Sequence, residues 1–125
     1  MSTAILRVTN GVRWVTSNDL VDDSITASEK EVVEVLGYRA MRLTLKVWSI
    51  KESASAPLFA LVMDTGMDAS DPDGFVCLGV FDPVTSGPVV VQRVFTDLQR
   101  YVRWRIMVFE NIDVAQFSIE GIVYE

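Results

Sequence analysis

The segment MRLTLKVW, residues 41–48, alternates apolar and polar side chains with a period of two. Its apolar face consists of Met41, Leu43, Leu45 and Val47. Successive side chains of a β-strand point to opposite faces of its sheet, so this pattern predicts a strand with one face in a hydrophobic core. The segment QRYVRWRIMVFE, residues 99–110, repeats the alternation and places Trp104 on its apolar face.

The rest of the chain contains similar short segments separated by turn-forming residues. Further strands are predicted at 4–9, 12–16, 31–36, 57–63, 75–81, 88–95 and 115–125. Gly, Pro, Asn, Asp and Ser dominate the intervening stretches, as expected for turns. About eight or nine short strands at this spacing predict an all-β protein, either an antiparallel sandwich or a barrel. We expect one domain over 1–125, with 1–25 forming either its first strands or an N-terminal arm.

Composition narrows the class of protein. The chain has 125 residues, half of them hydrophobic, a net charge of −6 and a sequence pI near 4.6. A negative protein is poorly suited to neutralising phosphates, which weighs against direct binding of nucleic acid. No apolar run is long enough to span a membrane, and we expect no signal peptide at the N-terminus. These features predict synthesis and folding in the cytoplasm.

The residues offer little for catalysis. The chain has no histidine, which removes the commonest general base and metal ligand. Its one cysteine, Cys77, lies between Val76 and Leu78, and we expect a buried small hydrophobic residue there. No phosphate-binding loop, zinc pattern or nucleophile elbow occurs. We therefore expect a protein that is not an enzyme and that holds no cofactor.

The acidic loop DTGMDASDPDG, residues 64–74, has two interpretations. Its carboxylates are Asp64, Asp68, Asp71 and Asp73. Oxygen ligands at this density suit Ca²⁺, although their order does not match an EF-hand loop. The alternative is a solvated loop in which the aspartates cap turns and Gly74 supplies a positive φ.

Residues 100–105 form a basic stripe with one tyrosine. Its members are Arg100, Tyr101, Arg103 and Arg105. The stripe is a candidate ligand site. The alternatives are a set of ion pairs with carboxylates on an adjacent strand, for which Glu120 is one candidate, and a salt bridge between subunits. Aromatic residues offer a second candidate surface. Trp14, Trp48, Tyr38 and Tyr101 are possible stacking platforms for sugar rings or, alternatively, core residues.

The last two predicted strands are apolar on both faces. Four residues lie opposite their core-facing rows, namely Met107, Phe109, Ile122 and Tyr124. A sandwich strand that is apolar on both faces suggests a second buried surface. We therefore expect these four residues to form a contact with a partner subunit.

Several segments together resemble a known family. VLGYRAMRLTLKVWS followed by LFALVMDTGMDASDPDGFVCLGVF resembles discoidin-like, or galactose-binding-like, jelly rolls and related structural domains of tailed phages. RYVRWRI and FSIEGIVYE are similar to the closing strands of those domains, and the resemblance covers about 30–125. The chain departs from the sugar-binding members in lacking histidine and in having Phe75 where tryptophan is common.

The resemblance implies a jelly-roll sandwich and a role in a virion. On this basis we expect a capsid decoration or stabilising protein, or a tail accessory, at the virion surface. Its partners would be other copies of itself and a capsid or tail protein, with a free N-terminal arm docking on the shell. The alternative that the resemblance implies is a carbohydrate-binding module that recognises a surface glycan.

Overall fold

The computed structural model describes residues 3–19, 25–26 and 31–125. This part of the chain contains ten strands and two short 3-10 turns, the latter at Ser17–Asp19 and Pro72–Gly74. The strands are β1 (Thr3–Arg7), β2 (Arg13–Thr16), β3 (Ile25–Thr26), β4 (Val33–Glu34), β5 (Ala40–Glu52), β6 (Leu58–Gly66), β7 (Val76–Val80), β8 (Val89–Thr96), β9 (Tyr101–Glu110) and β10 (Ile112–Tyr124). The all-β prediction is confirmed.

The strands form two antiparallel sheets that pack face to face. In the first sheet the order is β1-β10-β5-β8, and β2 pairs with the other half of β10. In the second sheet the order is β3-β9-β6-β7, and β4 pairs with the other half of β9. We count β1 and β2 as one position and β3 and β4 as another, and number the resulting eight positions along the chain. The order is then 1-8-3-6 in the first sheet and 2-7-4-5 in the second sheet. This is the connectivity of a jelly roll, so the sandwich alternative is correct and the barrel is not.

Alternating apolar residues of both sheets meet in the core. The predicted inward row of β5 is buried, since Met41, Leu43 and Val47 are fully inaccessible to solvent. Trp104 of β9 is also fully buried, and its ring meets Phe117 of β10 edge-on at 5.3 Å between centroids. Aromatic pairs in this geometry stabilise a core beyond the area that they bury. The periodicity of β5, and that of β9 as far as Ile106, therefore identified the core correctly.

The N-terminal segment is part of the first sheet. β1 pairs with β10 from Thr3 opposite Tyr124 onward, and β2 pairs with β10 around Ala115. Leu6, Val8 and Val15 lie in the core. An arm free to dock elsewhere would have to give up both the pairing and the buried side chains, so the free-arm prediction is wrong for the residues that the structure describes. Residues 1–2 and 20–24 of the predicted arm lie outside them.

The strands β10 and β5 approach each other closely at one glycine. Gly121 of β10 packs so closely on β5 that a Cβ atom built there lies 2.0 Å from the carbonyl oxygen of Arg42. A side chain at this position would force the two strands apart.

Cys77 is exposed on the edge strand β7, so the prediction of a buried cysteine is wrong. The error arises because an edge strand of a two-layer sandwich leaves its outer side chains in water.

Within the described ranges, none of the helical segments has the length and apolar character needed to cross a membrane.

Candidate functional site

Exposed apolar residues concentrate on the outer face of the first sheet, the surface formed by the outward side chains of β1, β2, β10, β5 and β8. Among the described residues ten large hydrophobic side chains are exposed, and five of them lie on this face. They are Ile5, Trp14, Trp48, Val90 and Val94, with exposed fractions of 82, 63, 41, 56 and 55%. Scattered exposed apolar residues are normal on protein surfaces, whereas large contiguous apolar patches are characteristic of interaction surfaces.

Strand register arranges this outer face in rows. In one row, Ile5 lies opposite Ile122, followed by Arg42 and Val94. The neighbouring row is polar and contains Arg7, Glu120, Thr44 and Gln92. A shallow depression of about 390 Å³ opens between the two rows, and it is lined by Ile5, Arg7, Thr44, Glu120, Gly121 and Ile122. The depression offers one carboxylate and one guanidinium beside two apolar side chains.

Both exposed tryptophans lie at the other end of the same face, one on each side of β10. Trp14 pairs with Gln116, and Gln116 pairs in turn with Ser49, the residue after Trp48. Two strand spacings, about 9–10 Å, therefore separate the β2 and β5 backbones that carry the two indoles. The Nε1 of Trp48 donates a hydrogen bond to the Ser118 hydroxyl at 3.2 Å. The two tryptophans thus share one face of the sheet, where the Lys46 ammonium lies 3.7 Å from the Trp48 ring centroid.

The other two predicted platform residues are elsewhere. Tyr38 is half-buried and packs against the hydrophobic core. Tyr101 begins β9 in the second sheet, where the guanidinium of Arg100 lies 5.3 Å from its ring centroid. Neither side chain shares a face with the tryptophan pair, because Tyr38 packs against the core and Tyr101 lies in the other sheet.

The basic stripe is engaged by carboxylates of neighbouring strands. Asp64 of β6, with a side chain only 3% exposed, accepts hydrogen bonds from Nε of Arg103 at 3.3 Å and from Nε of Arg105 at 3.1 Å. Arg103 also donates to the Pro72 carbonyl and lies 4.2 Å from the Phe75 ring centroid. These contacts agree with the ion-pair interpretation of the stripe. One carboxylate holds two guanidinium groups, so the cluster carries a net charge of +1.

The carboxylate partners differ from the one predicted. Arg100 forms an ion pair with Glu34 of β4, with Nε and Oε1 3.8 Å apart and both side chains almost half exposed. Glu120 lies in the first sheet, opposite Arg7, and the core separates it from the stripe. The sequence did not show that β9 and β10, which are consecutive, belong to different sheets.

The aspartates of the acidic loop do not converge. Asp64 belongs to β6 and faces the two arginines described above, while Asp71 precedes the 3-10 turn at Pro72–Gly74 and Asp73 lies within it. Asp68 accepts hydrogen bonds from the backbone N–H of Ser70 at 2.9 Å and from its hydroxyl at 2.8 Å, which together hold the pKa of Asp68 below its usual 3.8. In the described part of the chain, no group of three or more metal-ligating side chains occurs. The turn-capping interpretation fits Asp68, but the positive φ predicted for Gly74 is wrong. The described loop offers no calcium cage.

The four residues of the predicted partner interface are divided between the sheets. Ile122 and Tyr124 lie on the outer face of the first sheet, whereas Met107 is exposed on β9 of the second sheet. Phe109 turns toward the core and meets Phe59 edge-on at 6.0 Å between ring centroids. A β-bulge between Ala60 and Leu61 makes Met107 an extra residue of β9 and reverses the faces beyond it. The structure does not bring these four side chains together.

A buried carboxylate near the core was not found by sequence reasoning. Glu31 is 2% exposed and accepts hydrogen bonds from Nε1 of Trp104 at 3.0 Å and from the backbone N–H of Asn10 at 3.1 Å. Nε of Arg13 lies 3.4 Å from the same carboxylate. The only signal in the sequence was a tryptophan on a core-facing row, since a buried indole N–H requires an acceptor. The cluster fixes β2 to the core and has a structural role.

No protein-family model matches the chain, and no curated protein or solved structure matches it either.

Proposed function

We propose that this protein is a non-catalytic structural component of a phage virion, a capsid decoration or stabilising protein that binds a shell protein through the outer face of its first sheet. The observation that carries the proposal is the concentration of five exposed hydrophobic side chains on this one face. Burial of apolar area is the main favourable term in most protein association, and a contact with another protein would supply it here.

The geometry of the outer face fits a protein partner. Trp14 and Trp48 are large, exposed anchors at one end, and tryptophan is enriched among the residues that dominate binding energy in interfaces. Polar residues such as Gln92 and Glu120 alternate with the apolar rows and would supply hydrogen bonds at the rim. The net charge of −6 suits the remaining surface to contact with water.

The assignment to a phage particle is supported by the resemblance of segments 35–49, 58–81, 100–106 and 117–125 to phage structural domains. The jelly-roll connectivity is compatible with this resemblance, but a fold by itself does not fix a function. The proposed role in a virion is therefore tested by looking for the protein in purified phage particles.

Quantitative mass spectrometry of gradient-purified particles, produced by the strain that carries the gene, measures copy number. We expect on the order of hundreds of copies per particle for a decoration protein, because such proteins follow the symmetry of the shell. A few copies would indicate a tail accessory, and absence from particles would refute the virion role. Reconstitution with stripped particles then tests the face, where Trp14→Ala should weaken binding and Val76→Ala, on an edge of the second sheet, should not.

The alternative function is carbohydrate binding, and the tryptophan pair favours it. Trp14 and Trp48 flank β10 on one flat face, with the amide of Gln116 and the hydroxyl of Ser118 between them. Flat indole rings stack on the apolar faces of sugars, and neighbouring amides and hydroxyls accept and donate hydrogen bonds to sugar hydroxyls.

A glycan array with wild-type protein, repeated with and without Ca²⁺, tests this alternative. Binding that is abolished by either Trp14→Ala or Trp48→Ala would support it. A blank array under both conditions would refute it and would leave the protein contact as the role of this face.

A further inference from the structure

The strand β8 has a long edge that no other strand of the described residues covers. It pairs with β5 through eight consecutive residues, Val89 to Thr96, without a bulge. Among the described residues no strand hydrogen-bonds to its other side. An edge strand presents a row of unpaired N–H and C=O groups, which is a template for pairing with another chain.

The remaining edges of the two sheets are short or interrupted. β1 and β2 have five and four residues, and β3 and β4 have two residues each. β7 has five residues and includes Gly79. Short edge strands are one of the ways in which proteins avoid pairing between chains. The eight residues of β8, VVVQRVFT, include no proline, lysine or acidic residue that would have the same effect.

The single charge in β8 does not block its edge. The guanidinium of Arg93 turns toward the second sheet, where it donates a hydrogen bond to the Val80 carbonyl, and it lies 5.4 Å from the ring centroid of Phe95. Arg93 thus closes the gap between the edges of the two sheets. On the outer face, Val90 and Val94 remain more than half exposed on either side of Gln92.

We propose that β8 is the contact between two copies of this chain, which pair antiparallel about a two-fold axis through Gln92 and extend the first sheet across the dimer. The sequence of β8 is complementary to itself in this register. Val90 of one copy lies opposite Val94 of the other, and the two Gln92 side chains meet at the axis, where each amide both donates and accepts. The inference rests on the proposed assembly role, of which it names one contact.

Other antiparallel registers are less favourable. Centring the axis on Arg93 places two arginines directly opposite each other, and like charges in that position are destabilising. Centring it on Val91 places Pro88, which has no N–H to donate, opposite Val94 inside the strand, whereas centring it on Gln92 places Pro88 opposite the last residue of β8, Thr96. A shift by one residue would set outer-face side chains against inner-face side chains. Pairing about Gln92 occupies the β8 edge of both copies. No β8 edge then remains free to bind a third copy, so the assembly stops at a dimer and does not grow into a fibre.

The test is the solution mass, measured by light scattering and sedimentation velocity over a wide concentration range. Wild-type protein should be a dimer. The double variant Val90→Lys, Val94→Lys places two lysine–lysine pairs across the axis and should weaken dimerisation by about a hundredfold. The double variant Val90→Glu, Val94→Lys places each lysine opposite a glutamate of the other copy and should restore the dimer. Ile5→Lys, on the opposite edge of the same sheet, is the matched control and should remain dimeric.

Three results would overturn the strand pairing: a monomeric wild type, a dimer that survives the lysine pair, or a charge-swapped variant that stays monomeric. Circular dichroism and thermal unfolding establish that each variant is folded, which is expected because both valines are exposed. Failure of the proposed virion role is a separate result, since it is the absence of the protein from particles and does not depend on the dimer.

Discussion

Replacing Asp64 by asparagine should lower the free energy of unfolding by about 3 kcal/mol. Asp64 is 3% exposed and is the counter-charge for Arg103 and Arg105, whose side chains are 12 and 29% exposed. Asparagine keeps the shape but removes the charge, and leaving a buried ion pair without one partner costs about 3–5 kcal/mol. Water reaches part of both guanidinium groups, so we place the cost at the lower end of that range.

Urea unfolding with linear extrapolation measures this change. The matched control is Glu34→Gln, which breaks the ion pair with Arg100 in which both side chains are 44–49% exposed. Exposed pairs contribute about 0.2–1 kcal/mol and are screened by salt, so the control should have a small effect that disappears at high ionic strength. The Asp64→Asn effect should persist there. Equal effects of the two variants, within about 0.5 kcal/mol, would refute the argument that burial makes Asp64 the organising charge.

Four further predictions follow from the geometry. Deleting residues 1–16 should abolish cooperative unfolding in circular dichroism, because two strands and part of the core are lost; a folded remainder would restore the arm hypothesis. Gly121→Ala should destabilise the fold by about 1–3 kcal/mol in urea, through the overlap of its Cβ with β5, and an unchanged midpoint would contradict that close approach. Cys77 should react with a thiol reagent in the native protein; labelling only after denaturation would show that it is buried. In an NMR titration the pKa of Asp68 should lie below 3.8, and Ser70→Ala should raise it. Because folding lowers this pKa, its contribution to the free energy of unfolding is present above pH 3.8 and is lost as the pH falls through the folded pKa.

The strands were predictable because alternation is a local property. The predicted segments 41–48, 57–63 and 88–95 correspond to Ala40–Glu52, Leu58–Gly66 and Val89–Thr96. In contrast, 31–36 contains only the two-residue strand Val33–Glu34. Alternation shows which side chains of one strand share a face, and it carries no information about the neighbouring strand.

Non-local pairing explains what the sequence did not show about the candidate sites. Ile122 and Met107 seemed to share a surface only while β9 and β10 were assumed to lie in one sheet. Asp64 was assigned to a loop because the predicted strand ended at Met63, whereas the observed strand continues to Gly66. Met107 was placed on the wrong face because β9 contains a bulge at that residue. A bulge shifts the alternation of inward and outward side chains by one residue, and no residue pattern in this sequence indicates where the bulge lies. Trp14 and Trp48 were both named as candidates, but only the register across β10 brings them together.

The pairing of the first strand with the last has a consequence for how the protein is made. Among the described strands, β1 and β2 pair with β10 alone, and β10 is also the inner neighbour of β5. Until β10 has been synthesised, the first sheet therefore lacks one of its two inner strands, and the two N-terminal strands lack the strand that they pair with. Such long-range pairing makes folding slow, on a scale of about milliseconds to seconds. The nascent chain must keep β5 and β8 from pairing with other chains until β10 has been synthesised, so yield should depend on chaperones and on expression rate more than on final stability.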